Sequence, residues 1–317
     1  MLSSGLFFQE MLALYIIAVL GYAARKKQIL TQESVRVITQ ILLYMTLPAL
    51  ILHSLNIELS IAYLKQFSWL MVMSAYILVL TAVIAGRLNK STNLSPLQKP
   101  VYESLILFGN QGFIGYAVSF ILLGEEGIIY LTVFNIFYLL FIWAYGIHLF
   151  TKNKNTVNWK AVLLNPGIFS TSLGFVLMFV PFTWPSFIAA ALESVGTMTV
   201  PLSMILIGAL VANVTLKDFA ISLTNMYLWK AALLRLLAFP MLLLPFAMLG
   251  VPFHVFLIAV IVSAMPSAPT ICIYCEKYGG DSQFASFGVM LTTLLCILTI
   301  PLLYVFLNAI QHFAGLL

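Results

Sequence analysis

Long runs of apolar residues follow one another along the chain and are separated by short polar segments. A helix that crosses the hydrocarbon core of a bilayer needs about 20 predominantly apolar residues, and ten stretches of the sequence are close to that length. They lie near residues 6–24, 36–56, 67–86, 102–123, 128–150, 161–181, 187–211, 229–250, 254–275 and 284–307. The pattern predicts an all-α integral membrane protein with ten transmembrane helices.

The composition agrees with a chain that is surrounded by lipid. Hydrophobic residues make up 62% of the 317 residues and charged residues only 8%, whereas a soluble domain carries about 25% charged residues. The basic residues stand in short groups between the apolar stretches, so the positive net charge does not indicate nucleic-acid binding. No basic segment precedes the first stretch, and Arg25, Lys26 and Lys27 follow it. We therefore expect a retained helix and no cleaved signal peptide.

The basic residues also predict an orientation. Most of them lie beside loops with odd numbers, which the positive-inside rule places in the cytoplasm. This set comprises Arg25, Lys26, Lys27, Arg36, Arg87, Lys90, Lys99, Lys152, Lys154, Lys160, Lys217, Lys230 and Lys277. Lys65 lies in an even-numbered loop, and Arg235 lies inside the eighth span. We expect a multi-pass protein of the cell membrane with both termini on the outer side.

The two halves of the chain share motifs at corresponding positions. Met45-Thr46-Leu47-Pro48 in the second span matches Met198-Thr199-Val200-Pro201 in the seventh, and Gly124 after the fourth span matches Gly279 after the ninth. Both separations are close to half the chain length, which indicates a duplication. Residues 1–155 then form a first repeat with helices 1–5, and residues 156–317 a second with helices 6–10. An odd number of spans inverts the second repeat, as in many secondary transporters.

The fourth span carries a polar, glycine-rich segment, Gly109-Asn110-Gln111-Gly112, followed by Gly115. Each glycine lowers helix stability by roughly 1 kcal/mol, and adjacent amides inside a membrane are costly unless they find partners. The glycines alone are also compatible with close helix packing. For the whole cluster we favour a helix break at a functional site.

The ninth span carries Pro266 and Pro269, with Ser267 and Thr270 beside them. Each proline removes a backbone donor and frees a carbonyl one turn back. A plain kink is one interpretation. The stronger one is a break at the same position in both repeats, with the positive N-terminal ends of half-helices directed at an anion near the centre.

Other polar positions within the spans have structural and functional interpretations. Asn135 and Tyr138 lie one turn apart in the fifth span, where they could line a cavity or serve in structural hydrogen bonds. We expect Arg235 to reach the membrane surface rather than to bind substrate, and Glu103 to lie at the cytoplasmic start of the fourth span, beside a helix N-terminus. No acidic residue is predicted at the middle of a span, which favours uniport or coupling through backbone carbonyls.

The sequence lacks the patterns of a metal site or an intramembrane enzyme. Cys272 and Cys275 form a C-x-x-C pair without the further Cys or His ligands that structural zinc needs, and we interpret them as small apolar residues of a helix. No H-E-x-x-H motif is present. The four histidines, His53, His148, His254 and His312, all lie near ends of spans, where they do not suit a buried serine protease. We expect no enzyme activity, no metal and no cofactor.

The motifs together resemble the auxin efflux carrier family, which includes bacterial malate and malonate permeases and plant PIN-type auxin carriers. The segments that match are Leu47-Pro48-Ala49-Leu50, Gly109-Asn110-Gln111-Gly112-Phe113-Ile114-Gly115, Asn165-Pro166, Met265-Pro266-Ser267-Ala268 and Tyr278-Gly279. Their order and spacing extend the resemblance over essentially the whole chain.

This resemblance implies a two-domain carrier that works by an elevator motion. Helices 1, 2, 6 and 7 would form the scaffold, helices 3–5 and 8–10 the transport domain, and helices 4 and 9 would cross at the substrate. Asn110 matches the family's crossover asparagine, which lies beside the substrate carboxylate in PIN-type carriers. A proline that is frequent in the family is replaced by Ala117, so the break in helix 4 would depend on glycines. A homodimer through the scaffold is a further expectation from the resemblance.

The sequence therefore predicts a secondary transporter of a small organic anion, in particular a carboxylate, by alternating access. The residues that we expect at the substrate are Asn110, Gln111, Gly112, Asn135, Tyr138, Pro266, Ser267, Pro269 and Thr270. The alternative is a membrane receptor that has a carrier fold and binds its ligand without flux. The identity of the substrate, the direction of transport and the coupling ion stay open.

Overall fold

The computed structural model describes residues 4–57, 60–151, 166–180, 183–213, 215, 217, 220 and 223–314. Within these ranges, seven helices are long and apolar enough to cross a membrane. They are Gly5–Lys26, Gln32–Ser54, Ile61–Lys90, Glu125–Thr151, Ser186–Val211, Met226–Leu249 and Ser282–His312. The chain is an all-α, multi-pass membrane protein, and over the described ranges its only β-type pairing is an isolated antiparallel bridge between Gly109 and Ser267.

Several of the long helices are composed of shorter regular segments. The α-helices are α1 (Ser4–Lys26), α2 (Gln32–Ile41), α3 (Leu47–Ser54), α4 (Ile61–Lys90), α5 (Lys99–Leu107), α6 (Tyr116–Leu123), α7 (Glu125–Phe141), α8 (Ile147–Thr151), α9 (Pro166–Met178), α10 (Ser186–Thr197), α11 (Thr199–Val211), α12 (Met226–Leu233), α13 (Phe239–Met241), α14 (Phe253–Ser263), α15 (Thr270–Tyr278) and α16 (Ser282–Ala314). Widened π-helical turns lie at Leu42–Thr46, Gln111–Gly115, Ile142–Gly146 and Leu234–Ala238, and a 3₁₀-helix at Leu244–Leu249.

Three of the ten predicted spans are represented by shorter helices. Gln111–Leu123 and Phe253–Ser263 belong to the fourth and ninth predicted spans, each of which is divided by a break, and Pro166–Met178 belongs to the sixth. The predicted start of the sixth span lies outside the described residues, as do Lys152, Lys154, Lys160 and Asn165. The count of ten spans and the inversion of the second half stay predictions.

The chain divides into two compact units. The first unit consists of Met1–Ser68, Gly112–Ile136 and Lys160–Asn213, and the second of Trp69–Gln111, Phe137–Trp159 and Val214–Leu317. Each unit takes segments from both halves of the sequence. The division into repeats at residue 155 and the assignment of helices to scaffold and transport domains stay predictions.

In the first unit, helices α1 and α11 pack with their backbones in contact. A Cβ atom on Gly21 would lie 2.2 Å from the carbonyl oxygen of Ile205, and a Cβ atom on Gly208 would lie 1.8 Å from that of Ala18. Small residues permit this close approach of helices in membranes. Both glycines are required, because a larger side chain would have to push the two backbones apart.

In the second unit, two short helices are buried over most of their length, including the ends at which the breaks begin. Every residue of Val255–Ser263 in α14 is buried, as is every residue of Val101–Leu107 in α5. Gly288 of α16 lies close to α5, since a Cβ atom there would lie 2.3 Å from the Leu105 side chain. Backbone groups at the ends of α5 and α14 are therefore buried and need partners within the protein.

The contact between α1 and α11 predicts a large effect of a small substitution. Gly208→Ala should lower the free energy of unfolding by about 1–3 kcal/mol, the usual cost of overpacking, although alanine favours a helix by roughly 1 kcal/mol in open surroundings. The temperature at which the detergent-solubilised protein loses its monodisperse elution peak measures the effect. Gly5→Ala is the matched control, because nothing lies within 4 Å of a Cβ atom there. Equal melting temperatures for the two variants would contradict the packing described above.

Candidate functional site

The first break lies where the sequence predicts it, in the glycine-rich segment of the fourth span. Helix α5 ends at Leu107, Phe108 is extended with φ −100° and ψ 110°, and helical structure resumes at Gln111. The residues of this break, Phe108–Asn110, are all buried. Glycine at position 109 disfavours a continuous helix, and the contacts described below hold the extended conformation.

The second break also lies where the sequence predicts it. Helix α14 ends at Ser263, and α15 begins at Thr270 directly after Pro269. Pro266 and Pro269 lack the N–H groups that a continuous helix would use. A proline before the first helical residue fits a helix start, where N–H groups have no partner within the helix.

The two breaks pair with each other inside the second unit. The backbone N–H of Asn110 donates to the carbonyl oxygen of Pro266 at 2.6 Å, and that of Ala268 donates to the carbonyl oxygen of Phe108 at 2.9 Å. These bonds flank the antiparallel bridge between Gly109 and Ser267. Polar backbone groups that leave a helix at membrane depth are tolerated only when they are satisfied internally or line a wet cavity, and the pairing satisfies four of them.

Side chains bind further backbone groups of the two breaks. The Ser267 hydroxyl donates to the carbonyl oxygen of Leu105 at 2.7 Å, and the Ser267 N–H donates to the Thr292 hydroxyl at 3.0 Å. The Tyr138 hydroxyl donates to the carbonyl oxygen of Gly109 at 2.5 Å. We call the two paired breaks, Phe108–Asn110 and Ala264–Pro269, the crossing. Ser267 and Tyr138 hold its geometry, and their hydroxyl protons are bound to backbone oxygens.

Arg235 lies between the ends of the two interrupted helices. Its Nε donates to the carbonyl oxygen of Met265 at 2.9 Å and its Nη1 to that of Leu107 at 3.0 Å. The side chain is only 4% exposed, so the expectation that it reaches the membrane surface is wrong. Helix α12 begins at Met226, and the nine residues from there to Arg235 span about 13 Å, which places the side chain deep within the helix. A cation at helix C-termini is favourable because the last carbonyls carry partial negative charge.

Gly109 provides the space for this guanidinium group. A Cβ atom on Gly109 would lie 1.8 Å from Nη2 of Arg235 and 2.7 Å from its Cζ. Nη2 itself is buried and has no hydrogen-bond partner among the described residues. The crossing therefore contains a buried cation with one free donor nitrogen directly beside the first break.

The remaining predicted site residues divide between the two units. Asn110 and Gln111 are buried in the second unit, and Oε1 of Gln111 has no partner among the described residues. Pro269 and Thr270 are half-buried at the start of α15. Gly112 belongs to the first unit, where nothing lies within 4 Å of a Cβ position.

Asn135 also belongs to the first unit. It is buried there beside the hydroxyl of Tyr116, which lies 3.1 Å from that of Thr132. Its Oδ1 has no partner within the described ranges. Tyr138 belongs to the second unit, and a cavity lined by both Asn135 and Tyr138 stays a prediction.

The sequence-based interpretation did not assign Arg235 or Thr292 to this site. For Arg235 a signal was available, because a basic residue far from the start of an apolar helix cannot easily extend its charge to the surface. For Thr292 no signal was available, since threonine is common in membrane helices and its role depends on the position of Ser267.

Comparison with known proteins gives two similarities over most of the chain. A family model described as membrane transport protein matches residues 6–159 and 151–304. The chain is also 26% identical over 306 residues to an uncharacterized transporter of Methanocaldococcus jannaschii, an alignment that covers 92% of this chain and 96% of the relative. The two stretches matched by the family model contain the two breaks.

The contact between Gly109 and Arg235 predicts a non-additive pair of substitutions. Gly109→Ala should lower the free energy of unfolding by about 1–3 kcal/mol, because the guanidinium must leave its position. In an Arg235→Met background the same change should cost less, with a coupling of about 0.5–3 kcal/mol. Thermal unfolding of the four proteins in detergent measures this cycle. Gly86→Ala is the control within the same unit, since its Cβ atom would meet nothing closer than 3.7 Å; strict additivity would contradict the contact.

Proposed function

The chain belongs to the membrane transport protein family, to which the auxin efflux carriers belong, and from this premise we propose that it is a secondary transporter of a small organic anion. The substrate class that we assign is a carboxylate, bound at the crossing of the two breaks. The family supports transport, and the chemistry of the crossing supports the anion.

The observation that carries this proposal is the uncompensated charge of Arg235. No carboxylate in the described part of the chain lies within the 4.0 Å of an ion pair from its guanidinium group. Buried charges are normally paired and hydrogen-bonded. The carbonyl ends of two helices stabilise the cation when the site is empty, and Nη2 is the donor that we assign to the negative charge of the substrate.

Two helix starts beside the crossing add positive potential. Helical structure begins at Gln111 after the first break and at Thr270 after the second. The first N–H groups of a helix lack partners within the helix and favour anions. We assign substrate contacts to the side chains of Asn110, Gln111 and Thr270 at these starts.

The other predicted residues have supporting roles in this proposal. Ser267 and Tyr138 hold the backbone of the breaks, so they position the site and do not contact the carboxylate through their hydroxyl protons. Pro266 and Pro269 impose the second break. Gly112 and Asn135 belong to the first unit, and we assign them no contact in this proposal.

The transport step that we propose is alternating access by an elevator motion, as the family resemblance implies. In this scheme the domain that contains the crossing moves with its bound anion, and the scaffold stays fixed. The positive-inside distribution of basic residues favours cytoplasmic odd-numbered loops and outer termini. Inverted repeats with broken helices are a common construction for carriers of this kind.

Counterflow in proteoliposomes tests the proposed function. Radiolabelled acetate, lactate, malonate and malate are offered to vesicles that contain an excess of the same unlabelled compound. Asn110→Ala should reduce the exchange of the transported compound roughly tenfold or more, the usual loss for a hydrogen bond to a charged group. The backbone bond from residue 110 to Pro266 is kept in this variant, so the protein should stay folded.

Asn93→Ala is the matched control, because Asn93 is an exposed asparagine of the same unit. Normal exchange by folded Asn110→Ala would remove Asn110 from the site. Saturable binding of a carboxylate by the wild type without any exchange would favour the receptor over the transporter.

A further inference from the structure

A buried carboxylate lies in the second unit and has no role in the function proposed above. Glu103 on α5 is only 5% exposed, although its sequence position suggested an ion at the membrane surface beside a helix N-terminus. It precedes Leu107 by four residues, or about 6 Å along the helix axis. The carbonyl oxygen of Leu107 is bound by Arg235, so the carboxylate and the proposed anion site share one short helix.

Two neutral donors hold the Glu103 carboxylate. Nδ2 of Asn89 donates to Oε2 at 2.6 Å, and the Tyr145 hydroxyl donates to Oε1 at 2.7 Å. A carboxylate that accepts one hydrogen bond at each oxygen is well suited to its ionised form. Neither donor carries a charge, so the negative charge of ionised Glu103 stays uncompensated by its partners.

The same surroundings also suit the protonated acid. Oδ1 of Asn89 is buried and has no hydrogen-bond partner among the described residues, and the whole Asn89 side chain is 6% exposed. The oxygen and nitrogen of an amide exchange places when the group rotates by half a turn. After that rotation Oδ1 can accept a hydrogen bond from protonated Oε2, while Tyr145 continues to donate to Oε1.

Among the residues that the structure describes, none forms an ion pair with Glu103 that would fix it in one charge state. Within the described ranges no basic side chain of this helix or of the elements beside it lies within 4.0 Å of the carboxylate. These side chains are Lys65, Arg87, Lys90, Lys99, His148, Lys230, Arg235, Lys277 and His312. Hydrogen bonds to Glu103 come from Asn89 and Tyr145. In the part of the chain that the structure describes, none comes from the other ionisable side chains of these elements, which are Tyr63, Tyr76, Tyr102, Tyr227, Cys272, Tyr274, Cys275, Glu276, Tyr278, Cys296 and Tyr304. Tyr145 lies beside exposed His148, with ring centroids 6.3 Å apart, which brings this set of contacts to the protein surface.

From this geometry we propose that Glu103 binds a proton that crosses the membrane together with the anion. The proposal rests on the transport function given above and assigns its coupling ion. A proton from water on one side of the membrane binds to Oε2, the new O–H donates to Oδ1 of Asn89, and the proton returns to water on the other side. No residue keeps the proton after a cycle.

The formal charges of the buried groups in the second unit favour symport, in which the proton and the anion cross the membrane in the same direction. With the site empty, Arg235 and ionised Glu103 sum to zero. A carboxylate substrate with one negative charge would leave an excess of one negative charge in an apolar interior, which is costly. Protonation of Glu103 restores a sum of zero, so the loaded and empty forms carry the same buried charge. Symport keeps this balance, whereas antiport of a proton would not.

The experiment compares substitutions of two glutamates of the second unit in protein that is reconstituted into proteoliposomes. Wild type, Glu103→Gln and Glu276→Gln are tested, because Glu276 is exposed and receives the same chemical change. Each protein is first assayed for counterflow with the same pH inside and outside the vesicles. Uptake of radiolabelled lactate and malonate is then measured with the external pH lower than the internal pH and the membrane potential clamped at zero. Liposomes without protein give the passive background.

We expect one pH unit to raise the accumulation of a monocarboxylate about tenfold in the wild type and in Glu276→Gln, since one pH unit on one proton corresponds to a factor of ten. Glu103→Gln should retain counterflow, because glutamine resembles the protonated acid, but should show no response to the gradient. Gradient-driven uptake by Glu103→Gln at the level of the wild type would overturn the proposal.

The two proposals fail in different ways. Counterflow without gradient-driven uptake by the wild type would overturn proton coupling and leave the transport function intact. Absence of counterflow by the wild type would overturn the transport function itself. If Glu103→Gln does not fold, proton uptake by the wild type decides the matter. Malonate added to lightly buffered proteoliposomes should raise the external pH if protons enter with it, and a constant pH would overturn the proposal.

Discussion

Backbone groups that leave a helix within an apolar protein must find partners, and the second unit depends on this requirement. Each interruption frees carbonyl oxygens, which water would bind if the segment were exposed to solvent. The breaks at Gly109 and Pro266 solve the problem by pairing with each other, through hydrogen bonds on both sides of an antiparallel bridge. The helix ends must therefore meet at one place, and the crossing follows from the need to satisfy these groups.

The same requirement explains why a cation is tolerated at the crossing. The guanidinium group has its donors in a fixed planar fork, and two of them reach the carbonyl oxygens of Leu107 and Met265, which belong to different helix ends. A lysine could not bind both in the same plane. The cost of burying Arg235 is offset by carbonyls that would otherwise lack partners. A positive charge is thus placed beside the backbone that the proposed substrate would approach.

Those parts of the structure that depend on local chemistry could be predicted from the sequence. Apolar runs mark the membrane helices, and glycine and proline mark the breaks, because each acts on the backbone at its own position. The roles of individual side chains depend on tertiary neighbours, which the sequence does not show. Arg235 is an example, since its position far along an apolar helix indicates a buried cation, but its partners are carbonyl oxygens of Leu107 and Met265 that only the tertiary structure reveals. Ser267 is another, because its hydroxyl binds the Leu105 carbonyl, and nothing in the sequence distinguishes that partner from a ligand.

The two breaks have different physical origins, and this difference bears on how the site could change during transport. Pro266 and Pro269 set the second break through their own ring geometry, which limits its alternative conformations. Gly109 sets no conformation by itself, because glycine is permissive, so the first break is held by its contacts with Tyr138, Arg235 and the second break. A break that depends on contacts responds when a contact changes, for example when an anion binds the guanidinium group. The first break is therefore the part of the crossing that can transmit substrate binding to α5, the helix that carries Glu103.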